Sequence, residues 1–317
     1  MLSIKDVSDA HARIAPYIHH TPLVQSTCLG EMAGCHVFFK CENLQKTGSF
    51  KIRGAINRML SLSPEEQRRG VVCYSSGNHA QAVAYAAKAL GISASLFMPE
   101  TATPAKVAAC RSYGGQVTLF GQTGADCRPL AEKASREEGR IYIDPVEDPL
   151  IISGQGTTGL EILEDLPHPD VVYIPVGGGG LCSGIATAIK ALSPQTKVVG
   201  VEPAYYDYMT RSIHAGKITS IRQRPSIADG LAGSAPGPMA FEICSALLDD
   251  IFTVSEEEIA QATRLILERT KLLAEPSGAT AFAGLLSGRG PQGKNVVCVI
   301  SGGNANFSVL ASLLTQQ

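Results

Sequence analysis

The chain has little charge and no long apolar run. Only 18% of its 317 residues are charged and the formal net charge is −2, so nothing favours attraction to nucleic acid or an acidic membrane surface. No apolar stretch reaches the roughly 20 residues that a membrane-spanning helix needs. The N-terminus carries Lys5, Asp6 and Asp9 and lacks the apolar centre of a signal peptide. We therefore expect neither nucleic acid nor membrane as a partner.

The nine cysteines also lack a pattern. Their number is odd, and no two have the Cys-x-x-Cys spacing that many metal and redox sites use. Scattered cysteines of this kind are typical of reduced thiols inside the cell. We therefore expect a cytoplasmic protein.

What the chain does have is an alternation of strand and helix patterns. A length of 317 residues suits two lobes, and an apolar content of 44% suits a well-buried enzyme. Alternating patterns favour a mostly parallel sheet wrapped by helices, which is the α/β class.

The most informative stretch is the run from Lys46 to Gly54, Lys-Thr-Gly-Ser-Phe-Lys-Ile-Arg-Gly. It follows a strand-like segment at 36–40 and opens a helix pattern, for which Ser49 is the expected N-cap. Lys51 would then lie in the first helical turn, where the helix dipole disfavours a cation by roughly 0.3–1 kcal/mol. An amine biased toward its neutral form suits Schiff-base chemistry. The alternative interpretation is a surface lysine at a helix start.

Three more apolar runs end in small or polar turns. The residues that follow them are Ser-Ser-Gly-Asn-His at 75–79, four consecutive glycines at 177–180 and Ser-Gly-Gly-Asn at 301–304. Such turns mark the carboxyl ends of buried strands, where open α/β sheets bind ligands. Together with the Lys51 run, they predict a single site.

In this order and spacing, the four motifs resemble those of the fold-type II pyridoxal-phosphate enzymes, and most closely the serine racemase / threonine (serine) dehydratase group. The resemblance covers nearly the whole chain and includes Ile-Ala-Asp-Gly at 227–230 and Glu-Pro-Ser-Gly at 275–278. It implies a tryptophan synthase β-like fold with two open, mostly parallel twisted sheets wrapped by helices. It also implies a large cofactor-binding domain, residues 1–67 and 148–317, and a small mobile domain, residues 68–147.

The resemblance further implies how pyridoxal 5'-phosphate is held. Lys51 would form the Schiff base, with Phe50 near the ring. The residues expected around the phosphate are Gly177, Gly178, Gly179, Gly180 and Leu181. Glycine lets backbone N–H groups approach closely, and the next helix adds its positive end. A dinucleotide site is the alternative, with Glu202 as its acidic residue, but Cys182 or Ser183 stands where the third glycine of that motif belongs.

Two further cofactor contacts follow from the resemblance. Asn78 would bond the ring oxygen, and Ser301 would face the pyridine nitrogen. A hydroxyl does not hold that nitrogen protonated as an aspartate would. The ring then withdraws less charge, which favours prompt loss of a β-leaving group over transamination.

The substrate carboxylate is expected at the start of the helix after the second motif, bound by Ser75, Ser76, Asn78 and His79. A structural histidine is the alternative for His79. By the resemblance, Ser76 would oppose Lys51 across the cofactor, as a residue does in racemases of this group, and a proton delivered by its hydroxyl to the other face would allow racemisation. The alternative for Ser76 is a serine that only caps the turn.

A divalent-cation site is a further, weaker expectation. Glu202 resembles the first ligand of the group's cation site, which also uses a backbone carbonyl near Tyr206 and an aspartate two residues later. Tyr208 stands at that later position. Hard cations need oxygen ligands, so at most a weak Mg²⁺ or Ca²⁺ site is expected.

Together with these residues, the resemblance implies a pyridoxal-phosphate-dependent ammonia-lyase that converts L-threonine or L-serine to a 2-oxo acid and ammonia, as a homodimer. One alternative is a serine or other amino-acid racemase that uses Lys51 and Ser76. Another is a dehydratase of hydroxyaspartate or a different β-hydroxy amino acid. A β-replacement synthase fits less well, because that pattern has threonine at His79 and Gly-Thr-Gly-Gly-Thr at the phosphate loop. A binding protein on the same fold would not need Lys51 and Ser301.

Overall fold

A computed structural model describes residues 2–315, which form ten β-strands and fourteen α-helices. The strands are β1 Leu23–Ser26, β2 His36–Cys41, β3 Val71–Tyr74, β4 Ala94–Met98, β5 Gln116–Leu119, β6 Ile141–Tyr142, β7 Val171–Pro175, β8 Lys197–Pro203, β9 Asp250–Val254 and β10 Asn295–Ile300. The helices are α1 Ile4–Ile14, α2 Thr27–Ala33, α3 Lys51–Leu60, α4 Pro64–Arg69, α5 Asn78–Leu90, α6 Pro104–Ser112, α7 Gly124–Glu138, α8 Pro149–Asp165, α9 Gly180–Leu192, α10 Tyr208–Ala215, α11 Pro238–Leu247, α12 Glu256–Thr270, α13 Pro276–Leu286 and α14 Phe307–Thr315.

The strands form two sheets. The larger has six strands in the order β1-β2-β10-β7-β8-β9, and the smaller has four in the order β5-β4-β3-β6. Every pairing is parallel except that of β1 with β2. The expected α/β class with two mostly parallel sheets is therefore confirmed.

The large sheet explains why distant motifs meet. β10 lies between β2 and β7, and its residues are apolar and buried from Val296 to Ile300, as the centre of a parallel sheet requires. Because the three strands run in the same direction, the segments that follow Cys41, Pro175 and Ile300 leave the same edge of the sheet. The Lys51 run, the glycine loop and the Ser301 turn are thus neighbours.

The start of α3 differs from the prediction. The helix begins at Lys51, with Phe50 in the N-cap position and no side-chain cap, so the prediction that Ser49 caps it is wrong. Ser49 instead forms an isolated antiparallel bridge with Gly302. A pairing with the turn after β10 overrides the local capping preference of serine. Lys51 still lies in the first turn, as expected.

The four strands of the small sheet lie within residues 68–147, but the apolar core on one of its faces includes residues outside that range. α7 packs on one face of the sheet. On the other face, α5 shares a buried apolar cluster with α3, which contributes Ile52, Ala55, Ile56 and Met59. The boundary and the mobility of the small domain stay predictions. Within residues 2–315, no helix is both long enough and apolar enough to cross a bilayer.

Candidate active site

Lys51 lies at the centre of the site. Its Nζ donates a hydrogen bond of 3.0 Å to the Pro145 carbonyl and lies 5.1 Å from the centre of the Phe50 ring. Desolvation by the surrounding protein lowers the pKa of Lys51 from 10.5 to about 8, and the negative charge of Asp144 opposes part of this shift. A larger fraction of the amine is therefore neutral near pH 7 than for a free lysine, so it is a better nucleophile.

The glycine loop leads directly into α9. Gly179 has φ = 95°, in the left-handed region that favours glycine, and α9 begins at Gly180 without a side-chain cap. The first N–H groups of a helix lack partners within the helix, and the helix dipole makes that end positive. Leu181 is buried in the same first turn. This loop therefore offers backbone donors to an anion such as phosphate.

The Ser301 turn is fastened to the segment that precedes Lys51. The Phe50 N–H donates to the Ser301 carbonyl at 3.1 Å, and the Gly303 N–H donates to the Gly48 carbonyl at 2.9 Å. Ser301 is almost completely buried. The structure thus brings Phe50, Lys51 and Ser301 together, as the motifs predict.

Asn78 belongs to a partly buried polar network. Its side-chain N–H donates to Glu275 Oε1 at 2.6 Å, and its Oδ1 accepts from Asn304 at 2.9 Å. A side chain on Gly302 would meet Oε1 of Glu275, so glycine lets this side chain approach the Ser301 turn closely. Burial raises the pKa of Glu275 to about 7. The network holds Asn78 beside the Ser301 turn. The sequence did not predict that Asn304 would bond to Asn78.

The Ser75–His79 motif forms the turn before α5 and its first residues. Ser76 is exposed, whereas the Ser75 hydroxyl accepts a hydrogen bond from the Gly77 N–H at 3.1 Å. His79 is buried, and its Nε2 lies 3.0 Å from the Ile143 carbonyl. Burial, with the nearby Lys51 charge, lowers the pKa of His79 to about 4, so the ring is neutral.

The tautomer of His79 follows from this contact. A carbonyl only accepts, so Nε2 carries the hydrogen and Nδ1 presents a lone pair. A lone pair does not bind a carboxylate directly. The substrate-binding role of His79 stays a prediction, and its bond to Ile143 also places the start of α5.

Lys106 is a residue that the motifs did not reveal. It lies on α6 with 8% of its surface exposed, and its ammonium is 3.3 Å from Asp229. A side chain on Gly77 would come within 3.0 Å of Cδ of Lys106. A positive charge therefore lies directly against the turn expected to bind the substrate carboxylate. Its sequence position, inside an ordinary helix pattern, gives no signal of this.

Glu202 lies within β8, away from solvent. Its Oε1 accepts from the Met209 N–H at 2.9 Å and its Oε2 from the Thr210 N–H at 2.7 Å. Burial raises the pKa of Glu202 to about 8. Both oxygens thus accept hydrogen bonds from the first turn of α10. A cation site at Glu202 stays a prediction.

The residues around Lys51 fit pyridoxal phosphate. Four buried polar atoms there lack a hydrogen-bond partner, namely Thr47 Oγ1, Ser49 Oγ, His79 Nδ1 and Glu275 Oε2. Unsatisfied buried groups are costly and commonly indicate a ligand. A partly neutral lysine, a backbone cradle for an anion and polar atoms without partners are the features that a site for pyridoxal phosphate needs.

Comparison with known proteins agrees with this class. Residues 14–302 match the family described as pyridoxal-phosphate dependent enzyme, and the chain belongs to that family. It is 42% identical over 316 residues to an L-threonine ammonia-lyase of Thermotoga maritima, which covers 100% of this chain and 79% of the relative. It is also 42% identical to the catabolic L-threonine dehydratase TdcB of Escherichia coli, covering 98% of this chain and 96% of that protein. The structure of maize serine racemase superposes with a TM-score of 0.94 at 38% identity, covering 98% of this chain and 96% of that one.

Proposed function

We propose that the protein is a pyridoxal-phosphate-dependent ammonia-lyase that converts L-threonine or L-serine to a 2-oxo acid and ammonia. The observation that carries this proposal is the partly neutral Lys51 amine beside the Ser301 turn and the glycine loop. The relatives at 42% identity are named for threonine ammonia-lyase or dehydratase activity.

When bound, pyridoxal phosphate supplies the electron-accepting ring that makes the α-hydrogen of an amino acid acidic. The chain supplies the rest. Lys51 Nζ would hold the cofactor until the substrate amine displaces it, and the freed Lys51 amine would then take the α-proton, a role for which a pKa near 8 is suitable. The N–H groups at the start of α9 bind the phosphate, and those at the start of α5 bind the substrate carboxylate. The Lys106 ammonium adds positive charge beside that carboxylate.

The test is a panel of β-hydroxy amino acids with the purified holoenzyme, in which the 2-oxo acid and the inverted enantiomer are measured separately. We expect 2-oxo acid from L-threonine or L-serine as the main product. A protein that binds the cofactor but yields no 2-oxo acid from either would contradict the proposal.

Changing Ser301 should alter the balance of reactions. We expect Ser301→Asp to slow β-elimination by about tenfold or more, equivalent to at least about 1.4 kcal/mol in the barrier, and to produce some transamination. The reason is that a carboxylate would keep the pyridine nitrogen protonated, whereas a hydroxyl does not. Ser301→Ala, which adds no charge, is the control. Equal elimination by both variants, without a transamination product, would show that Ser301 does not contact that nitrogen.

Amino-acid racemisation is the second candidate. Ser76 is exposed and therefore accessible to a substrate, and the overall similarity to maize serine racemase favours this activity. Racemisation needs a proton donor on each face of the substrate, whereas elimination needs only the Lys51 face.

We expect Ser76→Ala to lower any racemisation by about 10²–10⁴-fold, while elimination from L-substrates keeps a substantial fraction of its rate. Both enantiomers of serine and threonine are assayed, with Ser76→Thr as the variant that retains the hydroxyl. Loss of both activities in Ser76→Ala would instead assign Ser76 to substrate placement.

A β-carboxylate, as in hydroxyaspartate, is less favoured as a substituent. Lys106 is the cation beside the substrate turn, and Asp229 already pairs with it. The cytoplasmic location, the homodimer and a small mobile domain at 68–147 remain parts of the proposal that rest on the sequence.

A further inference from the structure

The Glu202 carboxylate has no free oxygen facing a ligand site. Both oxygens accept backbone N–H groups, from Met209 and Thr210, in the first turn of α10. No other side chain caps this helix. These two bonds satisfy N–H groups that have no partner within the helix. Glu202 therefore has a complete role without a cation.

Tyr208 is the first residue of α10, directly before the two residues whose N–H groups bond to Glu202. It is completely buried, and its hydroxyl donates a hydrogen bond of 3.3 Å to the Leu231 carbonyl. A side chain on Gly233 would collide with the same hydroxyl. Tyr208 thus connects α10 to the segment 229–233, which we call the Asp229 loop.

This set of donors does not fit Mg²⁺ or Ca²⁺. These cations bind six to eight oxygen ligands or a full octahedron, with carboxylates supplying most of the charge. At the position where the resemblance leads to an aspartate, this chain has a phenol that donates a hydrogen bond. Among residues 2–315, no three His, Cys, Asp or Glu side chains are grouped so as to hold a metal ion.

Leu231, which Tyr208 holds, and Met209 of α10 both reach the glycine loop. Cα of Leu231 lies 3.1 Å from the point that a Cβ on Gly177 would occupy, and Cε of Met209 lies 2.7 Å from the corresponding point at Gly179. Tyr208 therefore supports the first glycine through Leu231, and Met209 packs directly on the third. The start of α10 holds the cradle from two sides.

We propose that Tyr208 takes the structural place of a divalent cation: its side chain ties α10 to the Asp229 loop, holds the glycine loop in its phosphate-binding shape, and makes the protein independent of Mg²⁺ and Ca²⁺. Tyr208 is a positioning residue in this proposal, since it acts through Leu231 rather than on the cofactor. The proposal rests on pyridoxal phosphate binding but not on the identity of the substrate, so its tests use cofactor affinity and thermal unfolding.

The first test compares the wild-type protein with Tyr208→Phe. We expect EDTA, MgCl₂ and CaCl₂ to leave the cofactor Kd and the Tm of the wild type unchanged. Tyr208→Phe should weaken cofactor binding by about tenfold, the scale of one lost hydrogen bond. Tyr205→Phe, which removes the hydroxyl of an exposed neighbour, is the matched control and should bind as the wild type does. A fall in wild-type Tm or affinity on chelation, or an unchanged Kd in Tyr208→Phe, would overturn the proposal.

The second test restores the carboxylate with Tyr208→Asp. We expect weaker cofactor binding and a lower Tm in EDTA, with both recovered in part by millimolar MgCl₂ or CaCl₂, because the new carboxylate and Glu202 would then supply the oxygen ligands that such a cation needs. Tyr205→Asp adds the same charge outside the buried space and should show no such recovery. Tyr208→Asp that folds but does not respond to either cation would show that Tyr208 does not occupy a cation's place.

Discussion

Lys51→Ala should abolish the covalent link to pyridoxal phosphate and lower elimination by at least about 10²–10⁴-fold, the usual contribution of a catalytic acid or base. The reason is that the proposed function gives this one amine two tasks, holding the cofactor and moving the α-proton. The link is measured by absorbance and by borohydride reduction followed by mass spectrometry, and elimination by 2-oxo acid release. Lys46→Ala, a lysine of the same segment outside α3, is the control and should keep both properties.

One outcome would contradict the role of Lys51. If Lys51→Ala still carried a reducible link at another lysine and retained its activity, the site would be centred elsewhere. The cofactor should also remain weakly bound in Lys51→Ala, because the α9 N-terminus and the Asn78 network do not depend on the amine. We therefore expect Lys51→Ala to lose elimination while it still binds the cofactor weakly.

The largest effect on stability is expected at Arg53. Its guanidinium forms bidentate ion pairs with two buried carboxylates, at 2.7 and 2.8 Å from Glu42 and at 2.6 and 2.7 Å from Glu161. Lys40 pairs with Glu161 at 2.8 Å, so two buried positive charges balance two negative ones. The network joins β2, α3 and α8, and Arg53 lies two residues after Lys51 in α3.

Arg53→Met should lower the free energy of unfolding by about 3–5 kcal/mol, since it leaves Glu42 and Glu161 with one cation between them. Arg58→Met is the matched control on the same helix: Arg58 pairs with Asp148 at 2.8 Å, but 20% of its side chain is exposed. We expect a clearly smaller loss there. Denaturant unfolding measures both, and equal losses would contradict a special role for the buried network.

Much of the site could be predicted because its parts are local in sequence. The Lys51 run, the glycine loop and the Ser301 turn each follow a buried strand, and parallel strands bring such turns to one edge. Each motif can be recognised by itself, as a strand pattern followed by a turn of small or polar residues. For these three motifs, the prediction of a single site needed only the direction of the strands, whereas the Ser75–His79 turn follows β3 of the other sheet and joins them through the bonds of Asn78.

The rest depends on partners that are far apart in the chain. Lys106 meets Asp229 and Arg53 meets Glu161, over separations of 123 and 108 residues. A single lysine or arginine in a helix pattern does not reveal such a partner. Ser49 is a case in which a local signal gave a wrong prediction. Its capping preference can be read from the neighbouring sequence, whereas its bridge to the distant Gly302 cannot.

The buried cluster that α3 shares with α5 has a consequence for exchanging segments between related proteins. A chimera that took residues 68–147 from a relative would receive a foreign α5 but keep its own α3, and the two would meet along Ile52, Ala55, Ile56 and Met59. Mismatched side chains in such a tightly packed interface shift the backbone or leave voids. Because Lys51 begins α3, a mismatch far from the glycine loop would move the reacting amine. The natural unit of exchange therefore includes α3 together with the small sheet.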